Sequence, residues 1–512
     1  MAVDYAVQMK NITKTFGDVI ANHDVTMDVK KGEILAILGE NGSGKTTLMN
    51  MLSGIYYPDH GEIWINGKQV DIQSPRDAYD LGIGMIHQHF KLIDVFTAVE
   101  NIALGLEKSE KFDLKTIENR TREICERYHF ELNLQQKVYE MSVSQKQTLE
   151  IIKVLYRGAQ ILILDEPTAV LTPQETEKLF DVIRNMKADN KSVIIITHKL
   201  HEVLEISDRV VILRKGEYIG SVDTAQATES SLTEQMVGRK VTLNINRTDP
   251  VNPVKRLSVK NLTVFSQENV KILDDITFDV YGGEILGIAG ISGNGQKELL
   301  EAIAGLQIPA QGSSVEFFER GMEDKPIQLI GKTPKMIRDS GVHLAFVPED
   351  RLGMGLVGSM GMTGNMLLKT YGSGKSIFTD KKKPRKMALK VKEELEVATP
   401  SLNTPVSRLS GGNVQKVLVG REIAEAPSVL MTAYAVRGLD INTSYTIYNL
   451  LDEEKKTGVA VVYVGEDLDV LIDLCDRILV LCGGRVNGIV DARNITKEEV
   501  GLLMTNLRKE GA

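Results

Sequence analysis

DVTMDVKKGEILAILGENGSGKTTLMNMLSG at 24–54 returns as DITFDVYGGEILGIAGISGNGQKELLEAIAG at 275–305, 251 positions on. DRVVILRKGE at 208–217 returns as DRILVLCGGR at 476–485, 268 positions on, so the second copy holds 17 more residues between these landmarks. A repeat this long is a duplicated domain, not a short stacking unit. Within each copy, strand-length apolar runs alternate with amphipathic helical stretches; GEILAIL, ILILD and SVIIIT are examples. That alternation predicts an α/β domain around a mainly parallel sheet. The polar stretch GRKVTLNINRTDPVNPVKR at 238–256 marks the boundary. The expected division is a first domain at 1–240, a linker at 241–256 and a second domain at 257–512.

Composition removes several functional classes. The chain has 512 residues, 42% hydrophobic and 25% charged, as in ordinary globular proteins of more than one domain. Its formal charge of −8 gives no general attraction to nucleic acid or anionic lipid. Cys125, Cys475 and Cys482 form neither a CxxC pair nor a zinc-ligand spacing, and read as free thiols of a reducing compartment. No apolar run approaches the ~20 residues needed to cross a bilayer. MAVDYAVQMKNITKTF at the start lacks the basic opening and long apolar core of a signal peptide. Any work at a membrane is therefore expected to need other chains. KKKPRK at 381–386 reads as a solvated loop or helix end.

The first copy carries a phosphate-binding pattern in the right context. Gly39-Glu40-Asn41-Gly42-Ser43-Gly44-Lys45-Thr46 fits GxxxxGK[ST], follows the strand EILAIL and opens a helix through Thr47. Glycines let backbone N–H groups curl around phosphate, and the helix N-terminus adds positive potential. Lys45 is expected on the terminal phosphates and the Thr46 hydroxyl on Mg²⁺. A later strand, ILILDEPT at 161–168, ends in adjacent carboxylates. Asp165 is expected to hold Mg²⁺ and Glu166 to act as general base on the attacking water. SVIIIT ends at Thr197, and His198 next to it is a candidate γ-phosphate contact. YGSGKS at 371–376 imitates a phosphate loop, but Lys369 stands where the first glycine belongs and no apolar strand precedes it.

This arrangement resembles the ATP-binding-cassette family in both copies. The resemblance implies two tandem nucleotide-binding domains, each with a mainly parallel core, an antiparallel β subdomain and a helical subdomain. It implies ATP and Mg²⁺ as ligands. It further implies that Phe16 stacks on adenine, that Gln88 touches Mg²⁺ and couples it to the transport partner, and that AVLT at 169–172 is the D-loop. MSVSQ at 141–145 takes the place of the LSGGQ signature, with Val143 and Ser144 where that pattern has glycines.

The second copy has lost what the first keeps, and keeps what the first has lost. In GISGNGQKE at 290–298, Gln296 and Lys297 replace the lysine and the Ser/Thr. At an offset of 268, Asp165 maps to Ala433, Glu166 to Tyr434 and His198 to Glu466, while Gln88 corresponds roughly to Glu349. LSGGN at 409–413 nonetheless retains Ser410, Gly411 and Gly412. In the family two cassettes pair head to tail, each ATP lying between one phosphate loop and the other signature. The resemblance therefore implies one competent site, made from the first phosphate loop and the second signature, and one dismantled site.

Tandem cassettes without membrane segments occur in importers, translation factors and repair ATPases. The missing zinc cysteines, the short linker and the single intact site resemble the importers. GIGMIHQHFKLIDVFTAVENIALGLE at 82–107 and LYRGAQILILDEPTAVLTPQE at 155–175 resemble the nucleoside branch, with the ribose and galactose branch next. Implied partners are two integral-membrane permease subunits and, indirectly, an extracellular substrate-binding lipoprotein. The implied location is the cytoplasmic face of a bacterial cell membrane. Neither nucleic acid nor the transported substrate is expected to touch the chain.

Overall fold

The computed structural model describes residues 4–17, 19–87, 90–104, 106, 113–169, 171–238, 245–250, 252–266, 268–291, 293–370 and 381–505. The chain divides into two compact units, Met1–Thr242 and Leu243–Ala512. Each unit is an α/β domain with the same pair of sheets.

In the first unit a six-stranded sheet runs in the order Glu217–Asp223, Arg209–Arg214, Ile34–Leu38, Ser192–Ile196, Ile161–Asp165, Ile83–Ile86. All pairings are parallel except the antiparallel pair at the Glu217–Asp223 edge. Four of its strands are buried along their whole length, which is why ILAIL, ILILD and SVIII read as unbroken apolar runs. A separate antiparallel sheet is built from Val19–Lys30, Tyr5–Phe16, His60–Ile65 and Lys68–Val70. The helices Ala98–Ala103, Leu114–Tyr128 and Val143–Tyr156 share a small core of their own, including Val99, Ile102, Ile117, Leu149 and Ile152.

The second unit repeats the topology with Arg485–Asp491, Arg477–Cys482, Ile285–Ala289, Ala460–Val464, Val429–Ala433 and Leu344–Val347. Fine detail repeats too. Asn11 and Asp24 both take left-handed backbone, and the Asn11 amide donates to Asp24 Oδ1 at 2.7 Å. Asn261 and Asp275 do the same at the same distance.

The stretch read from the sequence as a linker belongs, over its described residues, to the second unit. The Thr248 N–H and hydroxyl both donate to Asp452 Oδ1 at 3.0 Å. Arg247 donates to the carbonyls of Ile472 and Cys475. Lys455, 2% exposed, ties the Thr248 carbonyl to Asp476. The strand opening the second unit begins at Val254, inside the expected linker range. KKKPRK begins the helix Lys382–Glu394, with Pro384 in its first turn, where a missing N–H costs nothing. YGSGKS lies outside the described residues.

In each unit an arginine of the six-stranded sheet pairs with a glutamate in the connection leaving the antiparallel sheet. Arg209, at the start of its strand, donates to Glu33 through Nε at 2.8 Å and Nη2 at 3.2 Å, and Nη2 also reaches the Asp28 carbonyl at 2.8 Å. Arg477 repeats this with Glu284, at 3.1 and 2.5 Å, and with the Asp279 carbonyl at 2.9 Å. Glu33 and Glu284 are each 5% exposed, so neither carboxylate can be rehydrated if its arginine is removed. Arg209→Ala is expected to destabilise the first unit by about 3–5 kcal/mol in chemical denaturation, the scale for a broken buried pair. Arg184→Ala, in the half-exposed network with Glu177, Asp181 and Glu205, is expected to cost under about 1 kcal/mol.

Candidate functional site

The parallel sheet of the first unit ends its strands at one edge, where Gly39, Lys45, Thr46, Asp165, Glu166 and His198 lie. Gly39 follows Ile34–Leu38, and the loop 39–44 leads into the helix Lys45–Leu52. Gly42 and Gly44 sit at φ 80° and 94°, conformations a side chain resists. A Cβ on Gly44 would also meet the Ala21 carbonyl at 2.4 Å. Within the loop the Lys45 ammonium donates to the carbonyls of Gly39 at 2.6 Å and Glu40 at 2.9 Å. Burial lowers the Lys45 pKa, with Glu166, Asp165 and Glu40 opposing that shift. Ser43 is buried and, among the described residues, its hydroxyl has no hydrogen-bond partner, which suits it to satisfaction by a ligand. Glu40, Asn41 and Thr47 complete the loop and first turn.

The two candidate Mg²⁺ ligands meet: the Thr46 hydroxyl donates to Asp165 Oδ2 at 3.3 Å. Burial, then the neighbouring Glu166 charge, pushes the Asp165 carboxyl up to about 6. Glu166 is shifted the opposite way. Its hydrogen bond with His198 is the main cause, and the nearby cations add to it, so it stays ionised at neutral pH. His198 Nδ1 lies 3.1 Å from Glu166 Oε1. Glu166 itself turns sharply out of the strand at φ 48°, its N–H donating to the Ile196 carbonyl at 2.8 Å. That left-handed turn costs backbone energy in a non-glycine residue, and the bond to the neighbouring strand holds it. An oxygen pair fit to hold a hard divalent cation thus stands beside a carboxylate fit to accept a proton.

Phe16 ends its strand 44% exposed, edge-on to Tyr56 at 5.2 Å between centroids, with the Lys14 ammonium 5.5 Å from the ring. The ring is exposed at the end of a strand of the antiparallel sheet. Gln88 lies outside the described residues. Ala169, Leu171 and Thr172 of AVLT lead into the helix Pro173–Ala188, which Thr172 caps.

Positioning residues escaped the sequence reading. Asn22, fully buried, donates to the Gly44 carbonyl at 3.3 Å and braces the phosphate loop. Gln147 donates to the Pro167 carbonyl at 2.6 Å and braces the turn after the acidic pair. The repeat offers a signal for one of them, since Gln147 returns as Gln415, 268 positions on. Asn22 has no such echo: its counterpart is Leu273.

The second unit keeps the scaffold and changes the chemistry. Gly293 and Gly295 hold φ 89° and 95°, and the Gln296 amide donates to the Ile291 carbonyl at 3.1 Å, so a neutral group fills the place of Lys45. Lys297 is directed to Glu301 at 3.8 Å. Tyr434 reproduces the turn of Glu166, with φ 50° and its N–H on the Val464 carbonyl at 3.0 Å. Its phenol, pushed up to about 12 by burial and by Glu466 and Glu349, is no base at neutral pH.

The two signature stretches also differ. Ser142 and Gln145 form a reciprocal cap on the helix Val143–Tyr156, at 3.2 and 2.9 Å, so the serine oxygen is engaged by its own helix. Ser410 precedes the helix Gly411–Ile423 without capping its backbone, and its hydroxyl accepts from the Asn413 amide at 2.8 Å. Gly411 and Gly412 do not have positive φ, and a Cβ on Gly411 would meet nothing nearer than the Arg351 guanidinium at 3.4 Å. The smallness of Gly411 is thus not demanded by packing within the unit, and leaves its backbone open to approach.

Comparison with known proteins places this geometry. The ABC transporter family matches residues 22–169 and 273–432. The nucleoside import ATP-binding protein NupA of Lactococcus lactis is 41% identical, over 98% of this chain and 99% of that one. The guanosine import ATP-binding protein NupO of Bacillus subtilis is 40% identical over 100% and 99%. The glucose import ATP-binding protein TsgD13 of Haloferax volcanii is 38% identical over 98% and 95%. With the family matched in both halves and relatives aligned end to end, the chain belongs to the ABC transporter family as a tandem-cassette, ATP-binding ATPase subunit.

Proposed function

We propose that this chain hydrolyses ATP at the first phosphate loop to drive uptake of nucleosides across a membrane. The observation that carries the reading is the convergence of Thr46, Asp165, Glu166 and His198 at one sheet edge, with none of the four retained at the matching positions of the second unit. The identity with two nucleoside importers supports the cargo. Glucose, ribose and galactose form the second reading, favoured by the 38% identity with a glucose importer.

Backbone N–H groups of 39–46 and the Lys45 ammonium hold the phosphates of ATP, and Phe16 stacks on its adenine. Thr46, Asp165 and Gln88 would hold Mg²⁺, which would supply charge neutralisation at the phosphoryl oxygens. Glu166 takes a proton from the attacking water, whose oxygen bonds to the γ-phosphorus as the bond to the bridging oxygen breaks. His198 orients that carboxylate and contacts the γ-phosphate. Ser410, Gly411 and Gly412, the retained signature of the second unit, are assigned to contact with a nucleotide phosphate.

Among the described residues no helix is long and apolar enough to cross a membrane. Two permease subunits would supply the path and an extracellular lipoprotein the cargo, with this chain peripheral on the cytoplasmic face. Beside the stretch that follows Gln88, a groove lined by Tyr79, His87, Lys91, Glu150, Lys153 and Arg157 offers one permease a seat. Segment 350–405 serves the other.

Glu166→Gln is expected to lower ATP turnover about 10²-fold or more, whereas Tyr434→Phe stays within about two-fold; equal losses would refute a single working base. In the same assay Ser410→Ala should lower turnover about ten-fold, the scale of one hydrogen bond to a charged group. Ser142→Ala should instead cost about 1 kcal/mol of stability with turnover little changed. Cells carrying the chain should take up labelled nucleosides and lose that uptake with Glu166→Gln. Loss of glucose, ribose or galactose uptake instead would move the cargo to the second reading.

A further inference from the structure

In the second unit the positions that correspond to Gln88, Glu166 and His198 carry Glu349, Tyr434 and Glu466. They lie just beyond the strands Leu344–Val347, Val429–Ala433 and Ala460–Val464. A fourth residue closes the group. Arg437, where the first unit has Ala169, donates through Nη1 to Glu349 Oε1 at 2.5 Å and pairs through Nε with Glu466 Oε1 at 3.2 Å. Its guanidinium lies 6.0 Å from the Tyr434 ring centroid, and its own carbonyl accepts from Arg351. The loop leaving Leu344–Val347 is thus tied to the other two by charges the protein itself supplies. Just past Glu349, Asp350 Oδ1 accepts from the N–H groups of Leu352 and Gly353 at 3.2 and 2.7 Å, which opens the π-helical turn Arg351–Gly355.

We infer that Glu349, Arg437 and Glu466 form a nucleotide-independent latch that fixes segment 349–357 to the edge of the second sheet. The matching positions of the first unit carry Gln88, Ala169 and His198, so no guanidinium stands there to bridge two carboxylates. In the second unit one guanidinium bridges both carboxylates, so the positive charge that joins them belongs to the chain itself. The latch rests on the proposed function only for what the segment faces, namely a permease. It makes the second unit's contact a fixed mount, while the first unit's contact follows the ATP cycle.

Hydrogen exchange on the purified full-length chain, with and without ATP, tests this directly. In the native chain the amides of 349–357 should exchange at one rate in both conditions. Arg437→Gln and Glu349→Gln should each raise that rate about three- to five-fold, the scale of a half-exposed ion-pair network. The double variant should add little to the larger single effect, as expected for groups in one network. Amides of Val429–Ala433 should be unchanged, and Glu166-dependent ATP turnover should stay within about two-fold. If Arg437→Gln does not fold, Arg437→Lys carries the test, because it keeps the charge without the two-pronged reach and should give an intermediate rate. Unchanged exchange in these variants, or an ATP-dependent rate at 349–357 in the native chain, would overturn the latch. Either result leaves hydrolysis at Glu166 standing, and a failed uptake assay would leave the latch untouched.

Discussion

The parallel sheet is the constraint from which the site follows. Strands buried on both faces must all connect through helices, so every strand of that group ends at the same edge. Ile34–Leu38, Ile161–Asp165 and Ser192–Ile196 accordingly bring Gly39, Glu166 and His198 together, although they are up to 159 residues apart in the sequence. The antiparallel sheet then has to be held at a fixed angle to this one, because Phe16 sits on it and the phosphate loop does not. Arg209 with Glu33 and Asp28 supplies that joint, and the second unit carries the same joint at Arg477.

Much of this is legible in the sequence, for a physical reason. A glycine-rich arc, a lysine and a helix start are a local solution to phosphate binding, so Gly39 to Thr46 can be read as a unit. The acidic pair is legible because it ends an apolar strand in the same copy as the phosphate loop, at a separation that suits the pair to one site. The duplication adds a second, independent reading, since positions in register can be compared for what they have lost.

What was not legible is the bracing. Asn22 and Gln147 hold backbone carbonyls from other elements, and no local pattern marks a residue whose partner is a distant carbonyl. Arg437 is a harder case. Its partners lie 88 residues before it and 29 after it, and each looks by itself like a random replacement of a catalytic group. MSVSQ illustrates the opposite difficulty. Read as a damaged signature it is a loss, yet the serine and the glutamine three residues later are also a sound helix cap, and that is how they are used. The stretch 241–256 misled by composition: it is polar and holds prolines, but Arg247 and Thr248 are bonded to the second unit.

The left-handed turn at Tyr434 carries a consequence for how such a chain can change over generations. A tyrosine occupies the same unfavourable conformation as Glu166, with the same bond to the neighbouring strand. The turn is therefore dictated by sheet geometry and not by the chemistry it serves. Side chains at this edge can be exchanged without rebuilding the backbone, so a duplicated domain can shed a reaction in a few substitutions and remain folded. The same freedom lets a vacated reactive position be recruited to hold the protein together.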